Sequence, residues 1–168
     1  MAKRSISLQS AEKDKLFYFI TTIVVYRESD QRCLILKRDE KDDVYPGKWA
    51  LPGGRLSWSD FDLSKPDVKS NGVLNFNRAL EKHVGIVVKE KAGIDVGTRP
   101  QYLESVFFVR ADGTPSVLVR FGARYLGGKV KPRGGFTDGA WVNKEEIEKY
   151  DRIEGIDMDI LKTIKLFS

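Results

Sequence analysis

The sequence predicts an α/β fold in which a sheet packs between helices. Three observations carry that prediction: two β-hairpin patterns, a long amphipathic helical pattern between them, and a second apolar stripe of helical period at the C-terminal end. At 168 residues and 19.1 kDa the chain is long enough for one substantial core and short of the length at which chains usually divide, so residues 1–168 are read as a single domain. Hydrophobic residues make up 41% and charged residues 32%, which excludes the composition of a disordered chain.

Phe17 to Tyr26 and Cys33 to Arg38 are β-branched and aromatic runs bounded by the polar turn Arg27 to Arg32, and they predict the first hairpin. Lys41 to Gly54 holds Pro46, Gly47, Pro52 and the Gly53–Gly54 pair, the density of a loop that approaches something closely. Trp58 to Gly72 is polar, contains Pro66 and shows no period. From Leu74 to Ala92 the residues Phe76, Leu80, Val84, Val87 and Val88 fall at helical spacing, with Gly93 where a helix C-cap belongs.

Tyr102 to Arg110 and Ser116 to Leu126 predict a second hairpin across the turn Ala111 to Pro115. In the latter strand Val117, Val119, Phe121, Ala123 and Tyr125 alternate with a face carrying Arg120 and Arg124. Lys129 to Gly139 reads as a glycine-rich basic loop, and Asn143 with Glu146 reads as a capped start of a short helix. A closing helix is predicted over Ile156 to Phe167, its stripe formed by Ile156, Ile160, Leu161 and Ile164.

Several function classes drop out on composition. The longest apolar stretch, Leu16 to Tyr26, is too short to cross a bilayer as a helix. It also fails as a secretory signal, since Glu12 and Asp14 precede it and no small-residue cleavage site follows. A cytoplasmic protein is therefore expected, with no membrane partner. The lone Cys33 sits in an apolar run and reads as a packing residue. The net charge of +5 and a pI of about 9.2 favour anionic partners, nucleotides or nucleic acid, without identifying either; with 24 acidic residues interspersed, a solvated, modestly basic surface is the plainer reading, and nucleic acid is not the expected partner.

The motif that points to chemistry runs from Trp49-Ala50-Leu51-Pro52-Gly53-Gly54-Arg55-Leu56 to Glu90-Lys91-Ala92-Gly93-Ile94. Together with the order of elements it resembles the Nudix family over nearly the whole chain. The resemblance implies an α/β/α sandwich with a mixed central sheet, a nucleotide-type substrate, and glutamates that hold Mg²⁺ or Mn²⁺ against a pyrophosphate. The family box reads Gly, five residues, Glu, seven residues, then Arg-Glu-aliphatic-x-Glu-Glu-x-Gly-aliphatic. Anchored on Gly93-Ile94, it places Arg78, Val87 and Lys91 where the family has carboxylates, Ile86 at the Arg, and Glu90 at the first of the paired glutamates. Gly54 to Arg78 is longer than the family spacing by 18 residues, so an insertion over residues 57–74 opens the box; it reads as a lid or an interface.

The resemblance implies a metal held by the Gly54 carbonyl, Glu90 and Asp138, the acid three residues before Trp141. His83, seven residues before Glu90 on nearly the same helical stripe, is a candidate general base or phosphate contact, against the plainer reading of a residue at the core edge. Arg38, Arg55 and Arg120 are candidate phosphate contacts, Trp49 and Tyr45 candidate base-stacking groups, each with a surface or packing alternative. The leading reading is a divergent metal-dependent pyrophosphohydrolase cleaving a nucleoside diphosphate linked to another moiety. The other is a Nudix-fold nucleotide-binding or regulatory module without turnover. Lys91 discriminates between them: an ammonium paired with Glu90 fills the site, and one turned away frees it. The family's dimers make a homodimer an open expectation.

Overall fold

The computed structural model describes residues 6–168. Strands β1 (Tyr18–Arg27), β2 (Arg32–Arg38), β3 (Trp49–Ala50) and β4 (Gly53–Arg55) lead through a small hairpin, β5 (Val68–Ser70) and β6 (Val73–Asn75), to helix α1 (Ala79–Ala92). There follow β7 (Asp95–Val96), the long strands β8 (Gln101–Val109) and β9 (Pro115–Gly127), β10 (Phe136–Val142) and the closing helix α2 (Ile156–Phe167). The strands other than β5 and β6 form one mixed sheet whose central path is β10-β2-β1-β9-β7.

Two features of β1 organise the sheet. It runs parallel to β9 in unbroken register from Tyr18 opposite Ser116 to Tyr26 opposite Arg124, which a tight turn cannot produce; α1 lies in the crossover between them. Its Ile23-Val24-Val25-Tyr26 run is buried on both faces. Ile23 and Val25 pack with Leu34, Leu36, Val119, Phe121 and Ala123 beneath Val84, Val87 and Val88 of α1. Val24 and Tyr26 pack with Cys33, Ile35 and Ile147 against Ile156 and Ile160 of α2. Helices thus cover opposite faces, as the α/β/α reading requires, and burial pushes the Cys33 thiol up to about 12.

β4 lies against β1 with Gly53 opposite Thr22 and Gly54 opposite Thr21. A methyl at Gly53 would lie 2.6 Å from the Thr21 carbonyl oxygen, so this close approach needs glycine. Gly93 ends α1 in the left-handed conformation at φ 74°, its N–H donating to Lys89 O.

The predicted helical pattern over Leu74 to Ala92 is shorter in the structure. Arg78 has φ 54° and starts the helix in the left-handed region; Leu74 belongs to β6, and the Phe76 ring packs on Phe61 at 5.3 Å. Phe76 thus continued the apolar period by packing the insertion rather than the helix. The insertion forms a 3-10 turn at Trp58–Asp60, closed by reciprocal Ser57–Asp60 capping, and the β5–β6 hairpin. The segment read as a basic loop to Gly139 gives up its last residues to β10, which carries a register shift between Phe136 and Asp138. The capped helix after Asn143 is a 3-10 turn at Glu146–Lys149.

That turn is pinned to the sheet. Asn143 Oδ1 accepts from the backbone N–H groups of Glu145 and Glu146, while the Glu146 carboxylate accepts from Asn143 N–H and the Arg32 guanidinium at 2.7 and 3.0 Å. The Arg32 guanidinium holds the Glu146 carboxyl at about 2, below its ordinary 4.5. A lowered carboxyl stabilises the fold above its unfolded value and loses that contribution as pH falls through its folded one. Urea unfolding midpoints of the wild type should therefore fall from pH 4.5 toward about 2, and Glu146→Gln should flatten that part of the curve while lowering the midpoint at neutral pH.

Candidate ligand-binding site

A concavity on which three guanidinium groups converge lies on the α2 face of the sheet. It encloses about 400 Å³ and is floored by Ile20 and Thr22 of β1 and Leu118 of β9, with Val106 and Phe108 of β8 and Gly53 on its walls. Three guanidinium groups line it: Arg38 at the end of β2, Arg110 just after β8, and Arg120 in β9. Tyr45, Phe108 and Phe136 supply aromatic surface. Period-two alternation puts Val106, Phe108 and Arg110 on one face of the β8 run, and register places Val106 opposite Leu118.

Each arginine is held differently. Arg38 donates to Asp42 at 2.6 Å and lies 6.0 Å over the Phe136 ring, its Nε buried without a hydrogen-bond partner. The Arg110 Nε also lacks a hydrogen-bond partner, with Asp112 at 3.6 Å. Arg120 bridges Glu104 at 3.0 Å and Asp159 of α2 at 3.3 Å. Asp159 is 2% exposed; burial raises its carboxyl above the ordinary value, against the lowering pull of Arg120. The lining thus carries three guanidinium groups, each beside a carboxylate, together with the buried Asp159 and the exposed Glu154.

Of the residues singled out from sequence, Arg38, Arg120 and Tyr45 line this cavity. Trp49 does not: its ring packs edge-on against Tyr150 at 4.9 Å, and its backbone bonds to Asp151 and Ile153. Arg55 is exposed on β4, its guanidinium 4.5 Å over the Tyr18 ring. His83 packs beneath the insertion. His83 and Glu90 share a stripe of α1, yet His83 is buried where the insertion packs on the helix and Glu90 is exposed. His83 is 3% exposed in a cavity of about 150 Å³ with Phe61 and Phe76; its Nδ1 lies 3.7 Å from Asp60, and neither ring nitrogen is hydrogen-bonded. This supports the core-edge reading.

Few of the box positions present a group suited to a metal. Val87, in place of a box carboxylate, sits in the core with its Cγ2 3.1 Å from where a Gly54 methyl would be. Lys91 donates to the Gly134 carbonyl at 2.8 Å. Glu90 is exposed and unpaired among the described residues. Asp138, exposed on β10, accepts from Gly139 N–H at 2.7 Å. Among the described residues no three His, Cys, Asp or Glu side chains gather as ligands, and the expected Mg²⁺ or Mn²⁺ set of the Gly54 carbonyl, Glu90 and Asp138 offers only two carboxylates, both exposed.

Arg110, Phe108, Phe136 and Asp159 were not singled out from sequence. The β8 alternation was a signal for the first two. For Asp159 the signal was an acid three residues after Ile156, adjoining the apolar stripe of α2. Phe136 entered through the bulge in β10, which no residue pattern announced.

No protein-family model and no curated protein matches the chain. Solved structures do. The NUDIX domain of Shewanella oneidensis NrtR, complexed with ADP ribose, is similar over 96% of this chain and 96% of its own, at 18% identity and a TM-score of 0.68. A MutT NUDIX hydrolase from Burkholderia pseudomallei matches 89% of this chain and 98% of its own, at 18% identity and 0.62. A C. elegans Ap4A hydrolase matches 89% and 96%, at 15% identity and 0.56. The mixed sheet between two helices is thus a Nudix fold. Among the described residues no helix is long and apolar enough to cross a membrane.

Removing one partner of a buried ion pair strands the other charge. Arg120→Met should lower the unfolding free energy by about 3 kcal/mol by leaving Asp159 unpaired, and Arg120→Met with Asp159→Leu should recover most of that loss in urea melts.

Proposed function

We propose that the chain is a Nudix-fold nucleotide-binding module whose ligand carries a nucleoside joined through a pyrophosphate to a second group. The observation that carries this reading is an arginine-lined, aromatic-walled cavity in a molecule whose box helix lacks a carboxylate cluster. The cavity volume falls in the range of small-molecule sites. Guanidinium forks suit phosphate oxygens, and aromatic faces suit a base. ADP ribose in the NrtR domain and the name of the Ap4A hydrolase point the same way.

A pyrophosphohydrolase is the second reading, and the unpaired Glu90 favours it. The Lys91 ammonium is turned to Gly134 O and does not pair with Glu90, which leaves one carboxylate of the box free. A folded chain that releases product with Mg²⁺ or Mn²⁺, and loses that release in Glu90→Gln, supports turnover.

Isothermal titration with ADP ribose, Ap4A and ADP should give saturable binding to the wild type. Arg38→Ala and Arg110→Ala should each weaken it about tenfold, the scale of one charge-assisted hydrogen bond. No saturable binding by any of the three compounds overturns the binding reading.

A further inference from the structure

Lys91 stands where the box resemblance places a second carboxylate, and it belongs to a cluster of cations. The segment after β9 runs back along the last turn of α1: Lys131 N–H donates to Ala92 O at 2.8 Å, and Arg133 N–H donates to Lys91 O at 3.0 Å. These bonds satisfy carbonyls that a helix end leaves without intrahelical partners, and they fix where Lys131 and Arg133 emerge. Arg133 Nη2 and Lys131 Cβ lie 3.0 and 3.3 Å from the position of a Gly93 methyl, and the Lys91 ammonium reaches Gly134 O in the same strap. Lys129 borders the cluster, its carbonyl oxygen also against Gly93.

The acids nearby in sequence do not neutralise this group. Lys89 engages Asp95 at 2.9 and 3.0 Å, and Glu90 has no cation partner among the described residues. No ion pair holds Lys91, Lys129, Lys131 or Arg133 among those residues either. A helix dipole accounts for cations in the last turn of α1, where Lys89 and Lys91 lie. It does not account for Lys131 and Arg133, which the strap carries in from outside the helix.

Two stretches of chain lead from the cluster toward the cavity. Along the strap, Gly135 O accepts from Asp39 N–H at 3.0 Å, and the next residue, Phe136, lies under the Arg38 guanidinium at the cavity rim. Along α1, Val87 sits one turn before Lys91 against Gly54, whose neighbour Gly53 lines the cavity. Cations therefore stand at the end of α1 where the box resemblance places acids and a metal.

We infer that this chain takes its ligand's pyrophosphate as a free anion, with Lys91, Lys131 and Arg133 neutralising the charge that a divalent metal offsets elsewhere in the fold. The inference rests on the nucleotide-binding reading above. It follows from signs. Acids at a phosphate site repel the ligand until a dication intervenes, whereas ammonium and guanidinium groups bond phosphate oxygens directly. Such binding needs no metal and weakens with salt, because exposed cations are screened.

Calorimetric titration of the full chain with ADP, in excess EDTA and again in excess Mg²⁺, tests it. Affinity in EDTA should equal or exceed that in Mg²⁺ and fall as salt rises. Lys91→Glu and Arg133→Glu, both checked for native circular dichroism, should each weaken binding in EDTA by about tenfold, and Mg²⁺ should restore part of the loss in Lys91→Glu. Binding that requires Mg²⁺, or binding in EDTA indifferent to both reversals, overturns the inference and leaves the nucleotide reading standing. An absence of binding under both conditions, for ADP ribose and Ap4A as well, overturns both.

Discussion

The two-faced burial of β1 is the constraint from which the rest of the molecule follows. A strand whose successive side chains enter two different cores must be central, and it must be covered by an element on each side. Ile23 and Val25 commit one face to α1, and Val24 and Tyr26 commit the other to α2. Parallel pairing with β9 then requires a crossover, which α1 occupies. Where β1 passes beyond the cover of α2, at Ile20 and Thr22, the same sheet face opens into the arginine-lined cavity.

The glycine pair transmits that constraint to the site. β4 approaches β1 so closely that Gly53 has no room for a side chain, and this brings Gly54 under Val87. A carboxylate at position 87 would be buried among Val84, Val88 and Leu36 unless it met a cation. With valine there, the helix gains apolar packing and the position loses a ligand. The sign of the neighbourhood then changes consistently, with Lys91 on the helix and Lys131 and Arg133 on the strap beside it.

The insertion is the other departure from a compact box. It builds its own small hairpin and aromatic contact, and it lies over the first part of α1, where Lys82 pairs with Asp67 at 3.1 Å and His83 faces Asp60. The insertion thereby buries His83 while Glu90 on the same stripe stays exposed. His83 and Glu90, neighbours by helical period, end in different environments because of a segment that carries no period of its own.

Local chemistry was enough to read the hairpins, the Gly93 cap, the Asn143–Glu146 capping and the bounds of α2, since each is set by residues within a few positions of one another. The lost carboxylates at Arg78, Val87 and Lys91 were equally legible, because identity at a spacing is a property of the chain. Tertiary structure alone decided which charges converge. Arg38 and Arg120 lie on β2 and β9 and Arg110 just past β8, and they meet through the pairing of those strands; Trp49 turned to Tyr150 because the segment around Asp151 docks on β3; Asp159 became a buried acid because α2 lays it beside Arg120. Sequence by itself determined the elements and the chemistry missing from the box. The cavity and the cationic strap arise from contacts between residues far apart in the chain, which no local pattern records.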